Sequence, residues 1–297
     1  MSPSPTPANR AATPVMLGVL GCLAVFASAF CFYFSTVVIR WGQDVVAIDS
    51  AFYAFYRFLL GFIVVCVIMA VQRKGPAPRR YHLLVGRTIG NCVAVYCFYQ
   101  AVRITSVAEA NILNMTYPIF VVILSWLFLR RQRDPVAVAM VGVAVAGIWL
   151  ILSPSQLGLS MASLWGLGSG VSAAAAIFYL NVSRQYHDAN TVLFYMFGLG
   201  AVLMFAAFHR QIFWPDATEF YYLTLCGGAG IVGQFLITLG FRYVTAVEGG
   251  VISSTRILLA ALLGPWLAAE PALDPIGWLG ALLIFGANVV LTVRKGR

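Results

Sequence analysis

Ten apolar stretches limit how this chain can fold more than any other feature. They lie at about 15–39, 51–71, 83–102, 105–129, 135–153, 161–183, 191–209, 217–241, 244–269 and 275–293. Each is close to the ~20 apolar residues a helix needs to cross a bilayer core about 30 Å thick. The runs are continuous and lack a period of two, which excludes a membrane β-barrel. Most are separated by segments rich in Pro, Gly or charge, such as Arg40–Asp44, Gln72–Arg80, Arg130–Pro135 and His209–Asp216. The joins at Arg103–Thr105 and Arg242–Val244 carry little more than one Arg each. Of the 297 residues 61% are hydrophobic and only 10% charged, whereas soluble domains carry roughly 25% charge. A chain so poor in charge cannot cover a water-facing surface. The expected fold class is therefore an all-α membrane protein with ten transmembrane helices, its main partner the lipid bilayer.

The basic residues set the orientation. With both termini cytoplasmic, fourteen of the 19 basic residues face inward, among them Arg73, Lys74, Arg79, Arg80, Arg87, Arg130, Arg131, Arg133 and Arg294. Arg40, Arg103 and Arg210 face outward, and Arg57 and Arg256 fall within spans. The net charge of +9 is thus a topology signal rather than a nucleic-acid footprint. Residues 1–14 are expected to form a disordered cytoplasmic tail. They are not read as a signal peptide, because the run that follows is of full span length and lacks an Ala-x-Ala-like site.

Self-comparison divides the chain in two. The pairs Arg103/Arg242 and Glu109/Glu248 are both 139 residues apart, within matching stretches, and Gly147/Gly286 share that separation. The halves are 15–153 and 161–293, five spans each. An odd number of spans per half forces the halves into opposite orientations. Inverted repeats of this kind place a solute site near the midplane between them.

Tyr56-Arg57-Phe-Leu-Leu-Gly61, the Thr105–Glu109 stretch opening the fourth span, Pro118, Glu270 and Gly277-x-x-Gly280-Ala-Leu-Leu-Ile-Phe-Gly286 carry a resemblance. Over nearly its whole length the chain resembles the drug/metabolite transporter superfamily, and within it the EamA-type exporters with two five-helix repeats. The resemblance implies a secondary transporter in a bacterial inner membrane, usually an exporter, with a small-molecule substrate and no cofactor. It leaves the substrate open among amino acids, sugars, drugs and vitamins. One departure stands out: these repeats carry a Glu after their fourth helix, where the first half here has Arg130-Arg131.

Ionisable groups inside hydrocarbon cost about 2.5–3.5 kcal/mol on translocon scales, so each should face a cavity or a partner. Arg57, Glu109, Glu248 and Arg256 qualify. Either Glu is a candidate proton-coupling carboxylate; alternatively it serves its own helix N-terminus or pairs with the Arg six residues upstream. An Arg is a candidate anchor for a substrate carboxylate. Asn111, Asn114 and Tyr117 share one helical face; the same 139-residue shift leads to Gly250, Ser253 and Arg256. Tyr96, Tyr99, Gln100 and Arg103 form a second face, and Gln234 and Tyr179 extend the candidate set. Pro118 and Pro265 are expected to kink the fourth and ninth spans.

Other motifs carry less. Gly228-x-Gly230-x-x-Gly233 matches a dinucleotide fingerprint but sits inside an apolar span, where helix packing is the better account. No phosphate-binding Gly-x4-Gly-Lys-Ser/Thr loop occurs, so no ATPase activity or subunit is implied. The six cysteines show no Cys-x-x-Cys pair and read as packing residues. The expected activity is alternating-access export of small amphipathic metabolites, amino acids or related amines first, with protons as candidate coupling ions. The alternatives are a multidrug or vitamin carrier of the same fold and a membrane-embedded enzyme. The cavity is expected between the first, third, fourth, sixth, eighth and ninth spans.

Overall fold

A computed structural model describes residues 14–128, 135–152, 161–183, 186–240, 243 and 246–295. The expected tail and Arg130, Arg131, Arg133, Arg184 and Arg242 lie outside the described residues. The chain forms α1 (Pro14–Gln43), α2 (Ser50–Gln72), α3 (Tyr81–Ile104), α4 (Val107–Asn114), α5 (Tyr117–Phe128), α6 (Pro135–Leu152), α7 (Met161–Ser183), α8 (Ala189–Phe208), α9 (Ala217–Gly240), α10 (Ala246–Leu267) and α11 (Pro275–Lys295). A short 3₁₀ turn, His209–Gln211, follows α8.

Apolar runs became helices with little change of boundary, because a long unbroken apolar segment can satisfy its backbone in hydrocarbon only by internal hydrogen bonds. The fourth run differs. It is not one kinked helix but two, α4 and α5, broken at Met115-Thr116 ahead of Pro118. Pro118 takes the second position of α5, where its missing N–H costs nothing. Local and distant side chains cover carbonyls at the break: Thr116 Oγ1 donates to Leu113 O at 2.6 Å, and Asn288 Nδ2 donates to Met115 O at 2.8 Å. Pro265, by contrast, is accommodated in the last turn of an uninterrupted α10.

Polarity is inverted relative to a water-soluble fold. Leu20, Leu23, Phe26 and Phe30 on α1, Ile63, Val67 and Val71 on α2, and Leu279 and Leu282 on α11 point outward, while Ser28, Ser35, Thr36, Arg57, Asn111, Gln234 and Arg256 are buried. Apolar surface on this scale needs lipid. Five helical segments among the described residues are long and apolar enough to cross a membrane: Leu17–Gln43, Ser50–Gln72, Ser163–Leu180, Ala189–Gln211 and Ala217–Gly240. Ala139–Ile151, Ile252–Leu267 and Pro275–Val290 are shorter apolar helices. Although 24 residues long, α3 is diluted by His82, Arg87, Asn91, Gln100 and Arg103.

The packing has a reciprocal pattern. α1 packs on α9 as α3 packs on α7; α2 packs on α8 and α6 on α11. Gly61 receives the ring of Phe197, and Gly200 receives the ring of Phe58. Both pairs, Phe58/Phe197 and Gly61/Gly200, are separated by the same 139 residues. Connections also meet in two groups. The α1–α2, α3–α4 and α10–α11 connections contact one another at one end through Arg103–Asp49 and Glu270–Val107. The α2–α3 and α7–α8 connections meet at the other, where His187 Nε2 accepts the backbone N–H groups of Arg79 and Arg80 at 2.9 and 3.1 Å. Gly230 and Gly233 of the glycine motif lie against Arg57 of α2 and Cys31 and Phe32 of α1, as helix packing requires.

Candidate functional site

A cavity of about 180 Å³ lies between helices of the two halves. α1 contributes Ser28 and Phe32, α2 Arg57, and α3 Arg87, Asn91 and Phe98. Asn114, Met115 and Tyr117 come from the α4–α5 break, Ile177 and Leu180 from α7, Val192 and Met196 from α8, Gln234 and Thr238 from α9, and Ser253 and Arg256 from α10. The lining runs from the middle of the bundle to where α7 ends and α8 begins. The second and seventh spans, α2 and α8, therefore share a lining expected from the other six alone.

Asn114 joins the halves at the cavity. Asn114 closes α4: its Nδ2 donates to Ser169 Oγ at 2.9 Å, and its Oδ1 accepts from Arg256 Nη2. Arg256 also lies 5.2 Å from the Phe98 ring centroid and 5.9 Å from that of Phe32. Arg57 stands 5.4 Å from the same Phe32 centroid. Its Nη1 donates to Tyr99 Oη at 3.0 Å, and Tyr99 Oη lies 3.2 Å from Ser35 Oγ. Arg87, counted among the inward-facing basic residues, is buried, 4% exposed, in the cavity wall.

Of the residues singled out in the sequence, Arg57, Asn114, Tyr117, Gln234, Ser253 and Arg256 stand together in the lining. The rest do not. Tyr96 stacks on Phe208, ring centroids 4.7 Å apart, and meets Trp165 edge-on. Tyr99 is fully buried behind Arg57. Gln100 is outside the lining, its Oε1 buried without a partner among the described residues. Asn111 donates to Thr36 Oγ1 at 3.0 Å and to Val107 O at 2.8 Å. Tyr179 packs over Gly86 and is 36% exposed. Periodicity fixed which residues share a helix face, whereas neighbouring helices decide which face meets the cavity. The side chain of Glu248 lies outside the described residues, at the start of α10.

The end bearing Asp49, Arg103 and Glu270 is closed by polar contacts. Arg103 Nη1 pairs with Asp49 Oδ2 at 2.9 Å, so Arg103 does not pair with Glu109. Gln43 Nε2 donates to Arg103 O at 2.9 Å, and Trp41 Nε1 donates to Leu267 O at 2.6 Å. Glu270, in the α10–α11 connection, accepts the Val107 N–H with both carboxylate oxygens, at 2.9 and 2.8 Å, and lies 3.3 Å from Arg40 Nε. It thereby caps α4, whose first N–H groups have no intrahelical partner. Burial pushes the Glu270 carboxyl above its ordinary range, against the opposing pull of Val107 N–H and Arg40. Glu109 accepts from Ser163 Oγ at 2.5 Å, joining α4 to α7. Among the described residues no group of three His, Cys, Asp or Glu side chains could hold a metal ion.

Residues 19–153 and again 160–293 match the EamA-like transporter family. The chain belongs to that family. Relatives of this EamA-like chain include the pseudopaline exporter CntI of Pseudomonas aeruginosa, 25% identical over 280 residues, which cover 94% of this chain and 96% of the relative. A riboflavin transporter of Rhizobium johnstonii is 24% identical, covering 94% and 93% of the two chains. Human solute carrier family 35 member G1 is 24% identical, covering 93% and 80%. One crystal structure, 18% identical, matches at a TM-score of 0.61 over 93% of this chain and 98% of its own, a likeness of fold. The EamA-like chain is thus a membrane transporter of the drug/metabolite superfamily with a small-molecule substrate.

Proposed function

We propose that this transporter is a secondary carrier working by alternating access, with ten transmembrane spans in two inverted five-helix repeats, 15–153 and 161–293. Both termini are cytoplasmic and the membrane is a bacterial inner membrane. The observation that carries this reading is the cavity itself. Both halves line it, polar pairs bar it from the end bearing Asp49 and Glu270, and it extends toward the end bearing Arg79 and His187. The basic bias makes the latter end cytoplasmic, so the site faces inward. The reciprocal Phe58–Gly200 and Phe197–Gly61 contacts support a two-fold relation between the halves.

The substrate is a small amphipathic metabolite, and the direction is export. An exporter among the relatives supports the direction, as does a cavity that loads from the cytoplasm. Arg57 and Arg256 in the lining favour an amino acid or another carboxylate-bearing solute over a simple amine. Coupling runs through a proton on Glu109 or Glu248. Saturable, counterflow-competent solute movement in proteoliposomes is the expected result; conductance without saturation would sink the carrier reading. Glu109→Gln or Glu248→Gln should abolish dependence on a pH gradient, and unaltered dependence in both variants excludes them as proton carriers.

A further inference from the structure

We infer that the cavity takes a small amphipathic anion bearing at least two negative charges, as carboxylate or phosphate groups. This deepens the carrier reading above and rests on the cavity being the transport site.

Three guanidinium groups line one space: Arg57, Arg87 and Arg256, each 6% exposed or less. An arginine side chain keeps its charge in a protein. Taking one such ion out of water costs several kcal/mol unless an opposite charge meets it, and three like charges in one poorly solvated space add mutual repulsion. Their described hydrogen-bond acceptors are neutral: Tyr99 Oη and Gly230 O for Arg57, Asn114 Oδ1 for Arg256. No Asp or Glu belongs to the described lining. The two described ion pairs, Arg40–Glu270 and Arg103–Asp49, both lie at the closed end. The buried Nε atoms of Arg87 and Arg256 have no acceptor among the described residues.

Three uncompensated charges in a solute cavity are what a polyanion would complete. An amine would add a fourth positive charge. Arg57 and Arg256 stand 5.4 and 5.9 Å from the Phe32 ring centroid, and one anionic group is assigned to both. Arg87 enters from α3 nearer the end toward which the cavity extends and meets the second negative charge. Between them Val95, Phe98, Ile177 and Met196 offer apolar wall for a ring or hydrocarbon body.

Four probes sharing a phenyl ring separate the possibilities on the purified full-length protein: 2-phenylsuccinate, phenyl phosphate, phenylacetate and phenethylamine. Titration and thermal shift should show 2-phenylsuccinate or phenyl phosphate bound at least tenfold more tightly than phenylacetate, with phenethylamine inert. The better of the first two tells whether carboxylates or phosphate serve. Arg57→Gln, Arg87→Gln and Arg256→Gln should each weaken the dianion at least tenfold, and the Lys variants should recover part of the loss. Binding of phenethylamine at or above the dianions, no binding of either dianion, or unchanged affinity in all three Gln variants overturns the inference; the wild-type comparison decides even where a variant misfolds. Counterflow with the same probes keeps the two readings apart. Saturable counterflow of phenethylamine alone leaves the carrier and removes the anion, whereas a bound dianion with no counterflow of any probe does the reverse.

Discussion

At Gly230 a single hydrogen in place of a side chain sets the position of a charge. A Cβ there would stand 2.9 Å from Arg57 Nε and 3.1 Å from its Cδ, so α9 reaches the guanidinium only because the side chain is missing. Gly230→Ala should displace Arg57 and weaken substrate binding about tenfold, roughly 1.4 kcal/mol, with helix content by circular dichroism unchanged; titration of the dianion checks it. Tyr99→Phe removes the hydroxyl to which Arg57 donates. Loss of a hydrogen bond to a charged group should cost about 1.5–3 kcal/mol, visible as a lower midpoint of unfolding in detergent. Arg256 was legible in the sequence because a charge deep within an apolar run has no bland place to go, whereas Arg57, nearer a span end, could equally be read as snorkelling. Arg87 was not legible, since a basic residue a few positions into a span reads as an interface anchor. The stripe it heads, Arg87, Asn91, Ala94 and Phe98 at helical spacing, was the available signal. The neighbouring face with Tyr96 and Gln100 was just as polar, and only the packing of Trp165 and Phe208 against Tyr96 takes it out of contention.

Among the elements, α4 depends most on its neighbours. At eight residues it is too short to persist alone. Ser106 caps it locally by accepting the Glu109 N–H at 3.0 Å, and Glu270 caps it from the other half of the chain. The groups around the Glu270 carboxyl are Arg40 of α1, Tyr33 of α1, Glu109 of α4 and the Val107 and Ala108 N–H groups. Burial is the largest of these influences and raises its pKa in the closed end above the ordinary carboxylate range. The closed state therefore holds the proton more tightly than a state in which Glu270 is hydrated. It follows by linkage that the closed end tightens as pH falls through the window between the ordinary and the raised value, and loosens as pH rises through it. With the native cysteines replaced, thiol labelling of Ala108→Cys should slow across that window on acidification, and Glu270→Gln should remove the pH dependence. Labelling that quickens on acidification would contradict this account. Helix positions were readable from hydropathy because span length is a property of the lipid. The α4–α5 break was readable only as a bend at Pro118, because the Asn288 side chain that covers Met115 O comes from a helix 173 residues away.

For the molecule as a whole, the proposed topology makes a sidedness prediction. Gly75→Cys, between α2 and α3, should react with an impermeant thiol reagent only from the cytoplasm. Trp214→Cys, at a position 96% exposed between α8 and α9, should react only from outside; labelling of both from one side would refute the inverted arrangement. The 139-residue register was visible in sequence at Arg103/Arg242 and Glu109/Glu248, yet its tightest expression, Phe58 and Gly61 against Phe197 and Gly200, carries no charge to draw attention. In the proposed cycle the halves trade conformations. A contact made by two copies of the same pair is carried onto itself by that trade, so the ring-in-glycine junction of α2 and α8 is the fixed point of the motion. Everything away from it changes places with its counterpart. Tyr117 and Arg256 occupy corresponding places with unlike chemistry, so the two ends of the cycle offer the cargo unequal grips, and a fold nearly symmetric in shape acquires a direction from its side chains.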